Sequence, residues 1–169
     1  MAEKQKTPKQ SFANAQDATG QAKIEGLETV PLGVNFDDRG YLFEIIHNYD
    51  MPKFGQVYVV GNPARGVIRA FHKHEVLWDY FCIVRGSAKF VFVDDREESK
   101  THRKQEVVIL SEKSPQMIIV PPGVYHGWMS LEDNTIMVSI ASELYNKEHP
   151  DETRIPPDSF GDVWTIKVR

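Results

Sequence analysis

The chain has 169 residues, 41% hydrophobic and 26% charged, enough for one domain with a sizeable core. A net charge of −4 leaves no general basic footprint for nucleic acid. No apolar stretch approaches the roughly 20 residues of a membrane-spanning helix. The single cysteine, Cys82, excludes an intrachain disulfide and sits in the apolar run 80–84, where it reads as a buried core thiol. The opening Met-Ala-Glu-Lys-Gln-Lys lacks the apolar segment of a secretory signal, so a cytoplasmic protein with no membrane partner is expected.

In chain order, residues 1–24 are polar and without sustained apolar period, and read as an arm or weak helix ahead of a domain over 25–169. From Val30 onward, short runs rich in Val, Ile, Phe and Tyr alternate with turn signals, the pattern of a sandwich or barrel. Strands are expected over 41–48, 56–61, 66–71, 77–84, 88–93, 107–110, 117–120, 127–130 and 135–141, with a last one over 163–168. Turns are signalled by Asp37-Asp38-Arg39-Gly40, Arg85-Gly86, Asp94-Asp95 and Pro121-Pro122-Gly123. The acidic run 94–98 reads as a solvated hairpin rim. The proline-bearing segment 146–158 reads as loop or a short helical turn. No long amphipathic helix interrupts the series, so the fold class is all-β.

Three histidines fall among these strands: His72 and His74 in Gly66-Val-Ile-Arg69-Ala-Phe-His72-Lys-His74, and His126 in Pro121-Pro-Gly123-Val-Tyr-His126. Imidazole suits proton transfer or metal binding near neutral pH. Residues two apart on a strand share a face, so His72 and His74 look the same way. On a regular strand Arg69 faces opposite to His72, and only a bulge or bend near Ala70 brings both to one pocket. His47, His102 and His149 lie in polar surroundings and read as solvated.

The spacing of Gly66, His72, His74, Asp79 and Gly86, with Asp in place of Glu, resembles the first cupin motif. Pro121, Gly123 and His126 resemble the second. The resemblance implies a cupin double-stranded β-helix, a jelly-roll barrel of two antiparallel sheets. A narrower resemblance is to the dTDP-4-dehydrorhamnose 3,5-epimerases and the neighbouring dTDP-sugar 3,4-ketoisomerases. It is carried by Asp37-Asp-Arg39-Gly40-Tyr-Leu42-Phe-Glu44, by Gly66-Val-Ile-Arg69-Ala-Phe-His72, by Val120-Pro-Pro-Gly-Val-Tyr-His126-Gly127, and by Asp158-Ser-Phe-Gly-Asp-Val-Trp164. At two points the chain departs from the epimerases. Their lysine matches Asp79, and the region of their acid tyrosine reads Val138-Ser139-Ile140. The His-x-His pair is closer to the ketoisomerases, which shuttle a proton between adjacent sugar carbons.

The resemblance implies a nucleotide-sugar epimerase or isomerase acting on a dTDP-4-keto-6-deoxy sugar by proton abstraction next to the ketone. It implies His72 as base, Arg39 and Glu44 in nucleotide-sugar binding, Arg69 on the phosphates, no required cofactor, and a homodimer with exchanged strands or N-terminal region. Asp158 is the candidate carboxylate behind His72, and His74 or His126 the group that returns the proton or polarises the carbonyl. Trp128 or Trp78 offers a ring for stacking, and Tyr125 or Tyr145 a replacement acid. Two other readings stand beside this one. His72, His74, Asp79 and His126 form a three-histidine, one-carboxylate set suited to a divalent metal enzyme. A non-catalytic sugar-nucleotide-binding cupin is the third.

Overall fold

The computed structural model describes residues 23–51 and 53–166, so the arm expected over 1–24 lies almost wholly outside the described residues. Its last residue belongs to the domain instead, because Ile24 is buried in the core at 2% exposure. Among the described residues the chain forms twelve strands and no helix. They are β1 (Glu28–Pro31), β2 (Val34–Asp37), β3 (Gly40–Phe43), β4 (Gln56–Asn62), β5 (Ile68–Lys73), β6 (Asp79–Arg85), β7 (Ser87–Asp94), β8 (Gln105–Ser111), β9 (Gln116–Val120), β10 (Val124–Ser130), β11 (Thr135–Ala141) and β12 (Thr153–Arg154).

Two five-stranded sheets face each other, in the orders β1-β9-β6-β11-β4 and β12-β5-β10-β7-β8, and β2 and β3 form a separate hairpin. The strand pairs are antiparallel. This is the two-sheet jelly roll of the cupins. Between the sheets lies an apolar core that includes Phe81, Ile83, Phe90, Phe92, Val124, Trp128 and Met137. Two smaller clusters cover the outer faces. Residues 45–51 bring Ile45, Ile46 and Met51 onto Tyr80, Met117 and Ile140, and the C-terminal segment brings Ile155, Phe160, Val163 and Trp164 onto Phe71, Val91, Val93 and Tyr125. Burial on both faces explains why β7 reads Phe-Val-Phe-Val instead of alternating with polar residues.

Several sequence expectations are corrected. The strand expected over 41–48 stops at Phe43, because Ile45 and Ile46 turn inward to cap the outer face. Residues 163–166 form no strand, because Val163 and Trp164 dock as side chains on Phe71, and Val168 lies outside the described residues. The loop over 146–158 contains β12, where Thr153 and Arg154 pair with Lys73 and His72. The supposed solvated rim holds a buried carboxylate. Asp94 is fully buried and accepts hydrogen bonds from Arg96, Ser99 and Thr101. Burial pushes its carboxyl up, but those donors outweigh burial and hold it well below the usual carboxylate range. Cys82 is buried as expected, and burial pushes its thiol up to about 11.

Candidate active site

Register places the site. On β10 the inward positions are Val124, His126 and Trp128, two residues apart, and on β5 His72 stands opposite His126. The next aligned pair is Trp128 with Arg69, so Ala70 and Phe71 together oppose Gly127 alone. That extra residue is a β-bulge, and it turns Arg69 to the same face as His72. Gly127 permits the bulge by its size. A Cβ there would stand 2.3 Å from the Cβ of Ala70 and 2.9 Å from the carbonyl oxygen of Arg69.

Four side chains meet at this end of the barrel. The ligand-type atoms of His72, His74, Asp79 and His126 all lie within 4.8 Å of one another. The rings of His72 and His126 are 4.1 Å apart between centroids, and those of His72 and His74 5.3 Å. Asp79 opens β6 and is 2% exposed, and His126 is 3% exposed. Asp79 Oδ2 lies 3.4 Å from His74 Nε2 and 3.3 Å from His126 Nε2. Burial, then the neighbouring His126 and His74 and finally Arg154, hold His72 well below the usual imidazole range, so it is neutral at pH 7. A neutral imidazole is the form that can take a proton.

Around this cluster the residues expected from sequence fall differently. Arg69 is exposed at the barrel edge, where its Nε donates to Asn62 Oδ1 at 2.8 Å and its Nη2 to the Gly61 carbonyl at 3.3 Å. Asn62 is itself buried, so the guanidinium is anchored across the gap between β5 and β4. Asp158 does not stand behind His72. It is exposed in the turn after Pro157, on the segment that covers Phe71, and Phe71 faces away from His72 on β5. The residue paired with His72 is Arg154, whose own partner is Glu152 at 2.7 Å. Trp128 is a core residue, 4% exposed and stacked on Phe90 at 6.1 Å, with no free face for a sugar ring. Trp78 lines a groove of about 530 Å³ with Val76, Tyr80 and Ser142 on the outer side of its sheet. Arg39 and Glu44 lie on or beside the β2–β3 hairpin, exposed, and pair with Asp37 and His47 respectively. Neither reaches the histidine cluster within this chain. Of the replacement acids, Tyr125 packs against Phe160 on the outer face and Tyr145 is exposed.

One residue escaped the sequence reading. Tyr58 pairs with Ser139 across β4 and β11, on the inward side with Val60. Partial burial and then the charge of Asp79 raise its phenol, so the hydroxyl stays protonated. The run Val57-Tyr58-Val59-Val60 has no polar alternation, so nothing in the sequence marked Tyr58 as facing inward.

Three histidines and a buried carboxylate gathered at one mouth of a two-sheet antiparallel barrel make this a cupin-fold protein with its site in the barrel mouth. Comparison with known proteins identifies the group. The family model for dTDP-4-dehydrorhamnose 3,5-epimerase matches residues 21–168, and the chain belongs to that family. It is 34% identical over 151 residues to the spore coat polysaccharide biosynthesis protein SpsL of Bacillus subtilis, covering 86% of this chain and 99% of that one. It is 33% identical to the probable low-salt glycan biosynthesis epimerase of Haloferax volcanii, over 80% and 89% of the two chains. Among solved structures, the 3'-monoepimerase of Streptomyces bikiniensis in complex with dTDP-quinovose superposes with a TM-score of 0.72 at 25% identity, over 80% of this chain and 72% of the other. The protein is thus an enzyme of the epimerase and isomerase class, and the non-catalytic reading falls away.

Proposed function

We propose that the protein isomerises or epimerises a dTDP-linked 4-keto-6-deoxy sugar, with His72 taking the proton from a carbon next to the ketone. The observation that carries this is a neutral His72 held at the barrel mouth with Arg69 turned to the same face by the bulge. The related epimerase with dTDP-quinovose bound supports the nucleotide. The anchored Arg69 fork suits a diphosphate oxygen. Loss of the proton leaves an enolate, and the same carbon or its neighbour is reprotonated. No electrons are lost or gained overall, so the reaction requires no redox cofactor. His74 or His126 returns the proton in a ketone shift, and Tyr58 is the inward phenol available for the opposite face. Burial first, then the neighbouring His126 and His74, keep His72 neutral at rest, and Arg154 adds to this.

A second copy of the chain completes the site in this reading. Edge strand β4 presents exposed Val57 and Val59, and the hairpin presents exposed Phe36, Tyr41 and Leu42 beside Arg39, a surface suited to a homodimer. No helix among the described residues is long and apolar enough to cross a membrane, and we take the enzyme to act in the cytoplasm.

His72→Asn tests the assignment. Turnover should fall about 10²–10⁴-fold, the usual worth of a positioned base, while dTDP affinity stays within about threefold. Unchanged turnover rejects His72 as the base.

A further inference from the structure

Strand parity gives β6 a second working face. Trp78 and Tyr80 flank Asp79, so they point outward while Asp79 points into the barrel mouth. Outside, they line a groove of about 530 Å³, within the size range of small-ligand sites. Ile45, Ile46 and Met51 cover the middle of this sheet, and the groove lies beside that cover, bordered by Asp50 and Lys53. Trp78 stays 38% exposed there. Its backbone is fixed on both sides by Ser142. The Trp78 N–H donates to Ser142 Oγ at 2.9 Å, and its carbonyl oxygen accepts from the Ser142 N–H at 3.0 Å. The indole is thus held at the groove by the sheet itself.

The polar groups of the groove are left unsatisfied. Tyr80 is 5% exposed, yet its hydroxyl has no hydrogen-bond partner among the described residues. A hydroxyl taken from water without a partner is costly. Burial, then the charges of Asp50 and Glu28, raise this phenol, so it stays protonated and both carboxylates act on the same spot. Glu28 is exposed and has no ion-pair or hydrogen-bond partner among the described residues. Asp50 uses Oδ2 for the His47 backbone N–H at 2.9 Å and for the His47 ring, and its Oδ1 accepts no bond there. Lys53, the only cationic side chain lining the groove among the described residues, is taken up by Glu143, to which it donates at 2.6 Å. Three carboxylates therefore face one ammonium.

That balance repels a phosphate or carboxylate ligand. It attracts a cation, and an indole face adds to the attraction, because the ring quadrupole and the carboxylates act in the same direction. A bare inorganic ion would gain nothing from the aromatic and apolar walls, whereas an organic cation uses both. We propose that this groove binds a protonated organic amine, with the ammonium over the Trp78 ring and directed at Glu28, Asp50 and the Tyr80 oxygen. Val76 and Ile119 offer its carbon skeleton an apolar wall. The groove and the histidines lie on opposite faces of β6, so this binding does not rest on the sugar-nucleotide reading.

The test titrates the full chain with choline and with 3,3-dimethylbutan-1-ol, its neutral carbon isostere, followed by calorimetry and tryptophan fluorescence. Choline should bind about tenfold more tightly than the isostere, or better. Glu28→Gln, at an exposed position with no side-chain partner to lose, should weaken choline about fivefold or more, and so should Trp78→Leu. His72→Asn, on the other face of the sheet, should leave choline binding unchanged. Spermidine and glucosamine separate an open-chain amine from an amino sugar as the source, and the tighter of the two names it. Choline that binds no better than its isostere overturns the proposal. So does binding that survives unchanged in both Glu28→Gln and Trp78→Leu, or the failure of all three amines to bind up to about 10 mM.

Discussion

Gly127→Ala is the most informative structural perturbation, because one hydrogen at that position separates β10 from the bulge in β5. The added Cβ would lie 2.3 Å from Ala70 Cβ, 2.8 Å from Ala70 Cα and 2.9 Å from the Arg69 carbonyl oxygen. Ordinary carbon contacts begin near 3.5 Å, so the bulge must retreat by about 1 Å. None of the three atoms is the end of a flexible side chain, so the retreat is a backbone movement. Overpacking of this kind costs about 1–3 kcal/mol. The same movement shifts Arg69 and His72, which flank the bulge, and a misplacement of about 1 Å can cost about 10²-fold in rate. Urea unfolding followed by tryptophan fluorescence should show the stability loss, and steady-state turnover the larger functional loss. Adding Ala70→Gly to the variant removes the closest contact and should restore part of both. A Gly127→Ala enzyme with wild-type stability and turnover would refute the claim that the bulge sets the site.

Two further outcomes follow from charge placement. Because His72 is kept neutral in the folded protein, the unfolded chain takes up a proton below pH about 6.5 that the folded chain does not. The His72 share of stability is therefore complete above that pH and is lost as pH falls, by up to about 1.4 kcal/mol per unit, or about 2 kcal/mol by pH 5. Denaturant titrations in chelator should show a shallower acid slope in His72→Asn, and identical slopes would contradict the neutral ring. Asp94→Asn leaves Arg96, itself bonded to the Glu25 carbonyl, without its carboxylate, and should cost about 3 kcal/mol with little change in nucleotide affinity.

Strand texture carried most of the fold. Alternation and turn residues placed the segments that became β4 to β11 to within a few residues, because those strands are long and bounded by Gly, Pro and Asp. β12 was hidden, since two residues between prolines have no period to read. Asp158 was put behind His72 on the strength of the C-terminal resemblance, whereas in the structure the backbone of Arg154 pairs with His72 and Asp158 is exposed. His72, His74, Asp79 and His126 were legible as a set because strand parity and motif spacing agreed. Trp128 was misjudged because position two after His126 shares its face but lies deeper, under Phe90. Asp94 looked like surface because its donors, Arg96, Ser99 and Thr101, come from the following turn and close over it.

The central claim, that His72 removes a proton beside the ketone of a nucleotide-linked sugar, is tested most directly by incubating the wild-type enzyme with dTDP-4-keto-6-deoxyglucose in deuterium oxide. Proton NMR should show the signal of a carbon adjacent to the ketone fading as deuterium enters, about 10²-fold or more faster than in His72→Asn. Conversion to product with both neighbouring positions still fully protonated, or equal exchange in the variant, would contradict it.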